Sequence, residues 1–225
     1  MLTIITSDLH LGSPHCRRED FLAFLERLPA GCTLVLNGDI IDDPRTPLSA
    51  DDEAALLAMG EPARGLRVLW LRGNHDDGYR PPASISQQVL AEVVLEGLLV
   101  THGDRFDNLM PHGRWFIAAF RALHRWRVRL GAHPVHVAQY AKRWTWLYAV
   151  LCRHVRLNAQ EHAREMGLTA VTCGHVHQTA DQTSNDGVRY LNTGSWTEPD
   201  NRVIVLRAGA VQMIAPDALA TVLAP

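Results

Sequence analysis

Residues 1–12 read MLTIITSDLHLG, and this stretch sets a pattern that recurs along the chain. An apolar run typical of a buried strand, residues 2–6, leads directly into Asp8 and His10, two side chains that bind metal ions well. Four later runs have the same form. The five runs and the candidate ligands that follow them are 2–6 with Asp8 and His10, 33–36 with Asp39, 67–71 with Asn74 and His75, 98–101 with His102, and 169–172 with His175 and His177.

The segments between the first runs have helical character. Residues 17–28 read as a helix, and Ser49 and Asp51 can cap a second helix that runs to about Arg64. An alternation of strands and helices predicts an α/β fold. Sites in open α/β sheets lie outside the carboxyl ends of the strands, so the candidate ligands are expected to converge on one crevice.

The last third of the chain is richer in strands, with an Asn-Asp-Gly turn at residues 185–187 that suits a hairpin. The predicted strands here are 169–172, 178–183, 188–192, 202–206 and 210–214. Residues 84–100 are expected to form a short helix and then a strand pair around Glu96 and Gly97. The predicted fold is therefore α/β, with two mixed β-sheets forming a sandwich flanked by helices, in one domain spanning residues 1–225.

Composition narrows the class of protein. A chain of 225 residues with 47% hydrophobic residues can bury a full core. Its four cysteines lack CxxC spacing, which argues against a disulfide framework or a thiolate zinc site and favours a reducing, intracellular compartment. The amino terminus does not resemble a secretory leader and no run approaches the length of a membrane span, so a cytoplasmic protein is expected.

The candidate ligands themselves restrict the metal. Carboxylates, imidazoles and one amide oxygen suit Mn²⁺, Fe or Zn²⁺ better than Ca²⁺, which prefers oxygen alone, or an iron–sulfur cluster, which needs thiolates. Side chains two apart on an extended segment share a face, so Asp8 and His10 are expected to meet one ion. Seven candidates exceed the needs of a single ion, and two ions fit if Asp39 bridges them.

Five short motifs, in a fixed order, contain these candidate ligands. They are DLH at 8–10, GDIID at 38–42, GNHD at 73–76, HGD at 102–104 and GHVH at 174–177. Together they resemble the calcineurin-like metallophosphoesterase superfamily over most of the chain. The resemblance implies that Asp8, His10 and His177 hold one ion and that Asn74, His102 and His175 hold the other. It places Asp39 between the two ions.

The resemblance also implies roles for residues that bind no metal. His75 would face the substrate, where it can stabilise phosphoryl charge or protonate the leaving group, and Asp76 could orient it. Asp42 and Asp104 are interpreted as groups that orient ligands or close turns. The implied reaction is attack on phosphorus by a hydroxide held between two divalent ions, in line with the departing oxygen.

Charge is distributed unevenly along the chain. Residues 105–165 contain eleven basic and three acidic residues, although the whole chain has a net charge of -2. Such asymmetry indicates an anionic ligand or surface. Helical spacing around residues 114–130 predicts a basic amphipathic helix, and a helical cap insertion is expected at about 106–166. The candidate substrate-binding residues of the cap are Arg114, Arg121, Arg125, Lys142 and Arg156.

A narrower resemblance concerns the substrate. SDLHLG followed by Cys16, HGDRFD at 102–107, CGHVH at 173–177 and YLNTGSWTE at 190–198 are similar to the UDP-2,3-diacylglucosamine pyrophosphatase group, which acts in lipid A precursor synthesis. This implies cleavage of the pyrophosphate of a lipid-linked nucleotide sugar, with Mn²⁺ preferred, and a cap that meets an anionic membrane surface at the inner face of the membrane.

Other functions stay open at this stage. The best characterised members of that group carry Arg where this chain has His75, which keeps broader nucleotide, phosphodiester or nucleic-acid substrates in view. With nucleic acid, the basic segment would bind phosphates instead of a membrane. A non-catalytic scaffold with the same fold is a third hypothesis, and the retention of every ligand type and of His75 argues against it.

Overall fold

The computed structural model describes residues 1–108 and 145–223, and they form two mixed β-sheets with helices on the outer faces. The predicted fold class is confirmed. The strands are β1 Leu2–Thr6, β2 Thr33–Asn37, β3 Arg67–Leu71, β4 Val89–Leu90, β5 Glu92–Leu95, β6 Leu98–Thr101, β7 Ala170–Cys173, β8 Ala180–Thr183, β9 Arg189–Asn192, β10 Val203–Arg207 and β11 Ala210–Ile214. The α-helices are α1 Arg18–Glu26, α2 Ala50–Met59, α3 Thr145–Glu165 and α4 Leu219–Leu223.

Strand direction decides where the loops meet. The first sheet has the order β11-β10-β1-β2-β3-β4, and its strands β1 to β4 run parallel. The second sheet has the order β5-β6-β7-β9-β8, and its strands β6, β7 and β9 run parallel. Every loop that carries a candidate ligand therefore leaves the carboxyl end of a parallel strand.

The central strands β1 and β2 are buried on both faces, which explains why their sequences are nearly continuous apolar runs. Along β1, Ile4 enters a core between the first sheet and helices α1 and α2, and Ile5 enters a core between the two sheets. Leu34 and Val35 of β2 alternate in the same way. The two sheets therefore pack face to face and share one apolar layer.

The outer face of the second sheet is covered by α3. Cys152, Val155 and Ala159 of this helix form a third buried cluster with Val171 of β7 and Tyr190 of β9. The spacing of three and four residues places these side chains on one face of the helix. Helix α3 thus packs against the strands that lead into the GHVH and YLNTGSWTE motifs.

Two local predictions needed correction. Helix α2 begins at the predicted cap, where the Ser49 side chain accepts from the backbone N–H of Asp52, but it ends at Met59 instead of continuing to Arg64. At the next position a Cβ on Gly60 would lie 2.7 Å from the carbonyl oxygen of Ser84, so this glycine lets residues 82–86 approach the helix end. Those residues form turns instead of the predicted short helix.

Most of the predicted cap lies outside the described residues, including the candidates Arg114, Arg121, Arg125 and Lys142. Helix α3 is the part of the cap prediction that the structure describes. Within residues 1–108 and 145–223, no helix combines the length and apolar character that a bilayer crossing requires.

Candidate metal centre

Five of the predicted ligands come together in overlapping groups where the two sheets meet. Each group contains nitrogen or oxygen atoms that all lie within 4.8 Å of one another. The three groups are Asp8 with His10 and His177, His10 with Asp39 and His75, and Asp8 with Asp39 and His102. Asp8, His10 and Asp39 each belong to two of the groups, and Asp39 is grouped with His10 in one and with His102 in the other, as a ligand between two ions would be.

The first group has the features of a cation site. The Nε2 atoms of His10 and His177 lie 3.1 Å apart, and Nε2 of His177 lies 3.3 Å from Asp8 Oδ1. Nδ1 of His10 lies 3.0 Å from a carboxylate oxygen of Asp42, which orients the ring with Nε2 towards the group. The other carboxylate oxygen of Asp8 is buried and has no hydrogen-bond partner among the described residues. A divalent ion fits this set because it would satisfy that oxygen and the converging ring nitrogens.

The second set of predicted ligands is more open. Nε2 of His102 lies 3.2 Å from Asp39 Oδ2, and Nδ1 of His102 donates to the carbonyl oxygen of Asn37 at 2.9 Å, which fixes the ring. Nδ1 of His175 lies 2.8 Å from Oδ1 of Asn74, and the rings of His102 and His175 are 5.6 Å apart. Asn74 and His175 are thus neighbours beside His102, and His175 lies outside the three compact groups.

The backbone reaches this arrangement in a way that the sequence reasoning did not foresee. The prediction treated residues 8–10 as extended, but Asp8 and His10 have φ values of 54° and 55°. Positive φ also occurs at Asp39, His175 and His177. The left-handed conformation costs on the order of 1–3 kcal/mol per residue and tends to occur at functional sites. These side chains therefore converge through strained turns and not through strand pleating.

Three glycines of the motifs allow the ligand loops to approach one another. A Cβ at any of these positions would fall inside the space of a candidate ligand. The clashes would be 2.4 Å from Gly38 to His102 Nδ1, 2.1 Å from Gly73 to Asp39 Oδ1, and 2.2 Å from Gly174 to Asp8 Oδ2. Sequence reasoning used these glycines only as parts of motifs. Their recurrence at the start of three ligand motifs was a sequence signal that the ligand loops pack closely against one another.

Replacing Gly174 by alanine should therefore disrupt the centre more than the fold. The new methyl group would displace the carboxylate of Asp8, and we expect the affinity for one bound ion to fall by more than about 10-fold. Metal titration of the folded protein checks this. Gly187→Ala is the control for loss of stability alone, because its φ of 89° strains an alanine but a Cβ there meets nothing within 4 Å. Unchanged metal affinity in Gly174→Ala would show that the Asp8 carboxylate is not a ligand.

Asp42, and not Asp76, contacts the ring of His75. Nδ1 of His75 donates to the backbone carbonyl oxygen of Asp42 at 2.8 Å and lies 3.5 Å from its carboxylate. The carboxylate of Asp76 is buried and accepts from the backbone N–H groups of Gly73 at 2.7 Å and Ile40 at 2.9 Å. The interpretation of Asp76 as the residue that orients His75 is therefore corrected, and Asp76 instead ties two ligand loops together.

A further carboxylate was not among the predicted site residues. Oδ2 of Asp107 lies 3.2 Å from Nε2 of His175, whose Nδ1 faces Asn74. A carboxylate that accepts from one nitrogen of a ligand histidine fixes the ring and raises the basicity of the other nitrogen. The signal was present in HGDRFD, where a second aspartate follows Asp104. Asp104 itself begins a short 3₁₀ helix, Asp104–Phe106, which agrees with a turn-closing role.

Arg156 is the one predicted cap residue that the structure describes. Its guanidinium donates to Oε1 of Gln160 at 3.2 Å, and it lines a cavity of about 220 Å³ between α3 and the second sheet. Arg153 and Val176 line the same cavity. Val176 lies between His175 and His177 in the sequence, so the cavity that Arg156 lines adjoins the GHVH turn. Arg156 is not part of the three ligand groups.

The acidic and basic groups of the centre shift one another's pKa. Burial alone would raise the pKa of Asp39, but His102, His75 and His10 together outweigh burial and hold that pKa well below its usual range. Burial would lower the pKa of His75, yet its hydrogen bond to Asp42 and the charge of Asp39 raise it to about 9. In the metal-free protein the positive charge of the imidazoles therefore offsets part of the negative charge of the buried carboxylates.

This balance predicts how the metal-free protein responds to pH. Because the folded pKa of His75 is above the unfolded value of 6.5, its contribution to stability is complete below pH 6.5 and is lost as the pH rises through about 9. The loss amounts to at most about 3 kcal/mol. Thermal unfolding in chelator at pH 6.5 and pH 9.5 should show a falling midpoint.

The metal-loaded protein should not share this trend. Divalent ions bind neutral imidazoles, so their affinity strengthens as protons leave the ligands. His75→Gln should flatten the pH dependence of the chelated protein. A midpoint that rises with pH in chelator would contradict the charged state assigned to His75.

One family model matches this chain. Residues 1–179 match the family model described as calcineurin-like phosphoesterase. Comparison with curated proteins gives no significant match.

Solved structures of similar fold cover nearly the whole chain at low identity. Yfce, a phosphoesterase from E. coli, is 16% identical with a TM-score of 0.45, over 96% of this chain and 99% of that one. Nuclease MPE from Pseudomonas putida is 23% identical with a TM-score of 0.43, over 94% and 87%. Vps29 from Entamoeba histolytica, complexed with Zn²⁺, is 16% identical with a TM-score of 0.43, over 95% and 97%. These likenesses are too distant to bear on what this chain does.

Proposed function

The chain belongs to the calcineurin-like phosphoesterase family, and on that premise we propose that it hydrolyses a phosphodiester or phosphoanhydride with two divalent ions. The observation that carries this proposal is the convergence of three overlapping groups of candidate ligands where the two sheets meet, with Asp39 grouped with His10 in one and with His102 in another. One ion would be held by Asp8, His10 and His177, and the other by the residues around His102. Burying carboxylates together costs free energy unless they are paired with opposite charge or hold a metal ion.

The proposed chemistry divides between the ions and the residues of this chain. When bound, two divalent ions supply Lewis acidity, which polarises the phosphoryl group and lowers the pKa of water. Asp39 would hold both ions, and its Oδ1 accepts from the backbone N–H of His75 at 2.8 Å. Asp42 orients His10 and His75 through its carboxylate and its carbonyl oxygen. His75 is then placed to stabilise phosphoryl charge or to protonate the leaving oxygen.

We propose Mn²⁺ as the favoured ion, with Fe and Zn²⁺ as alternatives. The donors are imidazole nitrogens, carboxylates and one amide oxygen, and these borderline and hard ligands suit the three metals. The described residues place no cysteine in the three groups, which speaks against a thiolate-bound ion.

For the substrate, we propose the pyrophosphate of UDP-2,3-diacylglucosamine or a related lipid-linked nucleotide sugar. The motifs HGDRFD, CGHVH and YLNTGSWTE support this proposal. A second support is the exposed apolar surface near the start of α3, where Trp146 is 76% exposed and Leu147 is 48% exposed. Large apolar side chains in water are typical of a surface that meets lipid or another apolar partner.

The basic cap would complete this proposal. Arg114, Arg121, Arg125 and Lys142 are the candidates for an anionic headgroup or the inner surface of the membrane, and Arg156 lies with Arg153 behind the GHVH turn. Changing the first three residues to Glu should weaken sedimentation with anionic vesicles. Unchanged sedimentation would remove the membrane from the proposal and leave the hydrolase proposal intact.

A broader phosphoesterase is the second candidate function. His75 favours it, because this chain has an imidazole where the pyrophosphatase group has a guanidinium. Nucleotides, small diesters or nucleic acid would then be substrates, and binding of nucleic acid would be sensitive to salt.

One activity screen separates the two candidates. The protein is reconstituted with Mn²⁺ and assayed on UDP-2,3-diacylglucosamine in detergent, on simple phosphodiesters and on nucleotides, with chelated protein as the control. Preference for the diacylated substrate supports the lipid proposal, and preference for diesters or nucleotides supports the broader one. If reconstituted protein hydrolyses none of them, the phosphoesterase proposal fails for these substrate classes.

A further inference from the structure

The segment Asn192–Trp196 lies at the junction of the two halves of the proposed metal centre. It begins at Asn192, the last residue of β9 in the second sheet, and crosses to the end of β1 in the first sheet, within the motif YLNTGSWTE. Asn192, Thr193, Ser195 and Trp196 are all at most 2% exposed. None of them belongs to the candidate ligand groups, so the proposed reaction leaves their polar side chains without a role.

On one side this segment holds the GHVH turn. Nδ2 of Asn192 donates to the carbonyl oxygen of Gly174 at 2.6 Å, and Oδ1 accepts from the N–H of Gly194 at 3.0 Å. The orientation of the amide is determined by chemistry, because a carbonyl oxygen cannot donate and a backbone N–H cannot accept. Tyr190 adds a contact of its hydroxyl with Nδ2 at 3.1 Å. Gly174 directly precedes His175, so Asn192 anchors the turn that carries His175 and His177.

On the other side the same segment holds the first ligand turn. The hydroxyl of Ser195 and the backbone N–H of Trp196 both donate to the carbonyl oxygen of Asp8, each at 3.0 Å. The hydroxyls of Thr193 and Ser7 are 2.7 Å apart. Asp8 has a left-handed φ of 54°, a conformation that persists only where the surroundings enforce it. The two hydrogen bonds to its carbonyl oxygen hold Asp8 in this conformation.

We infer that Asn192 and Ser195 are positioning residues of the metal centre, and that Asn192–Trp196 is a clamp that keeps the Asp8 turn and the GHVH turn in register. This inference rests on the two-ion centre proposed above. The clamp is needed because the ligands come from two separate sheets. The two residues should act differently, since Ser195 holds the turn of one ligand and Asn192 holds the turn of both His175 and His177.

The test is a titration of chelated, full-length protein with Mn²⁺, followed by the electron paramagnetic resonance signal of the unbound ion. Wild-type protein should bind two ions. Residues that orient metal ligands typically contribute 10–100-fold to affinity. In Ser195→Ala we expect about a 10-fold loss at one of the two sites, with the other unchanged. In Asn192→Asp a carboxylate oxygen would face the Gly174 carbonyl oxygen, and we expect both sites to weaken by at least about 10-fold.

The controls separate positioning from plain loss of stability. Asn185→Asp makes the same chemical change in the exposed hairpin turn and should bind like the wild type. A merely structural role would lower the unfolding midpoint in chelator and leave the Mn²⁺ affinity of the folded protein unchanged. If Asn192→Asp does not fold, Ser195→Ala decides the question alone.

The outcomes distinguish this inference from the proposed function. If folded Ser195→Ala binds both ions as the wild type does, the clamp has no positioning role. If the wild type itself binds no Mn²⁺, Zn²⁺ or Fe²⁺, the metal centre fails and the clamp inference falls with it.

Discussion

Replacing Asp39 by alanine is expected to abolish tight binding of both ions and nearly all hydrolysis. Asp39 faces His102 through Oδ2, accepts from the backbone of His75 through Oδ1, and is shared by two ligand groups. Even residues that only orient a ligand contribute 10–100-fold to metal affinity, so loss of a shared ligand should cost more than about 100-fold. Metal content after gel filtration and the rate on the best substrate of the screen are the measurements.

Two variants make the Asp39 result interpretable. Asp39→Asn keeps the shape and an oxygen that can accept from His75, so it isolates the effect of charge. Asp77→Ala removes an exposed acidic side chain from the neighbouring loop and should change neither metal content nor rate. An Asp39→Ala protein that keeps two tightly bound ions would overturn the bridging assignment.

Changing His75 to alanine should leave metal content intact and lower kcat by about 10²–10⁴-fold, the usual contribution of a general acid or base. KM should change less than kcat, because the group is proposed to act on charge that develops during the reaction. Its ring is held by Asp42 and lies 4.8 Å from the ring of His10, and its backbone N–H donates to Asp39, so the ring is at the edge of the centre.

The same variant tests a second role for His75. This residue also forms a compact group with His10 and Asp39, so the geometry permits it to be a ligand. Loss of one ion from His75→Ala would assign it to the metal, and an unchanged kcat would remove it from the mechanism. His162→Ala serves as the matched control, because that ring contacts Glu92 and Phe106.

The regular elements were predictable from the chain because their signals are local. Strand β1 coincides with the predicted run 2–6, β3 with 67–71 and β11 with 210–214. Strands buried on both faces have continuous apolar sequences, and the Asn-Asp-Gly turn selects the hairpin between β8 and β9. The turns at 82–86 were missed because they depend on a distant contact between Ser84 and Gly60.

The candidate ligands were predictable for a related reason. Parallel strands bring their carboxyl ends to one edge, so Asp8, Asp39 and His102 had to be neighbours once the strands were assigned. The directions in which these side chains point could not be predicted. The inference from extended backbone was wrong for Asp8 and His10, whose positive φ reflects contacts from loops far away in the chain.

The sequence by itself determined the fold class, the strands and the set of donor types, because apolar periodicity and side-chain chemistry are properties of neighbouring residues. Only the tertiary structure decided that Asp42 orients His75, that Asp76 accepts from the backbone N–H of Ile40 and that Asn192 reaches Gly174. Each of these contacts joins segments from different strands. Their partners are selected by packing of the two sheets, which no local pattern encodes.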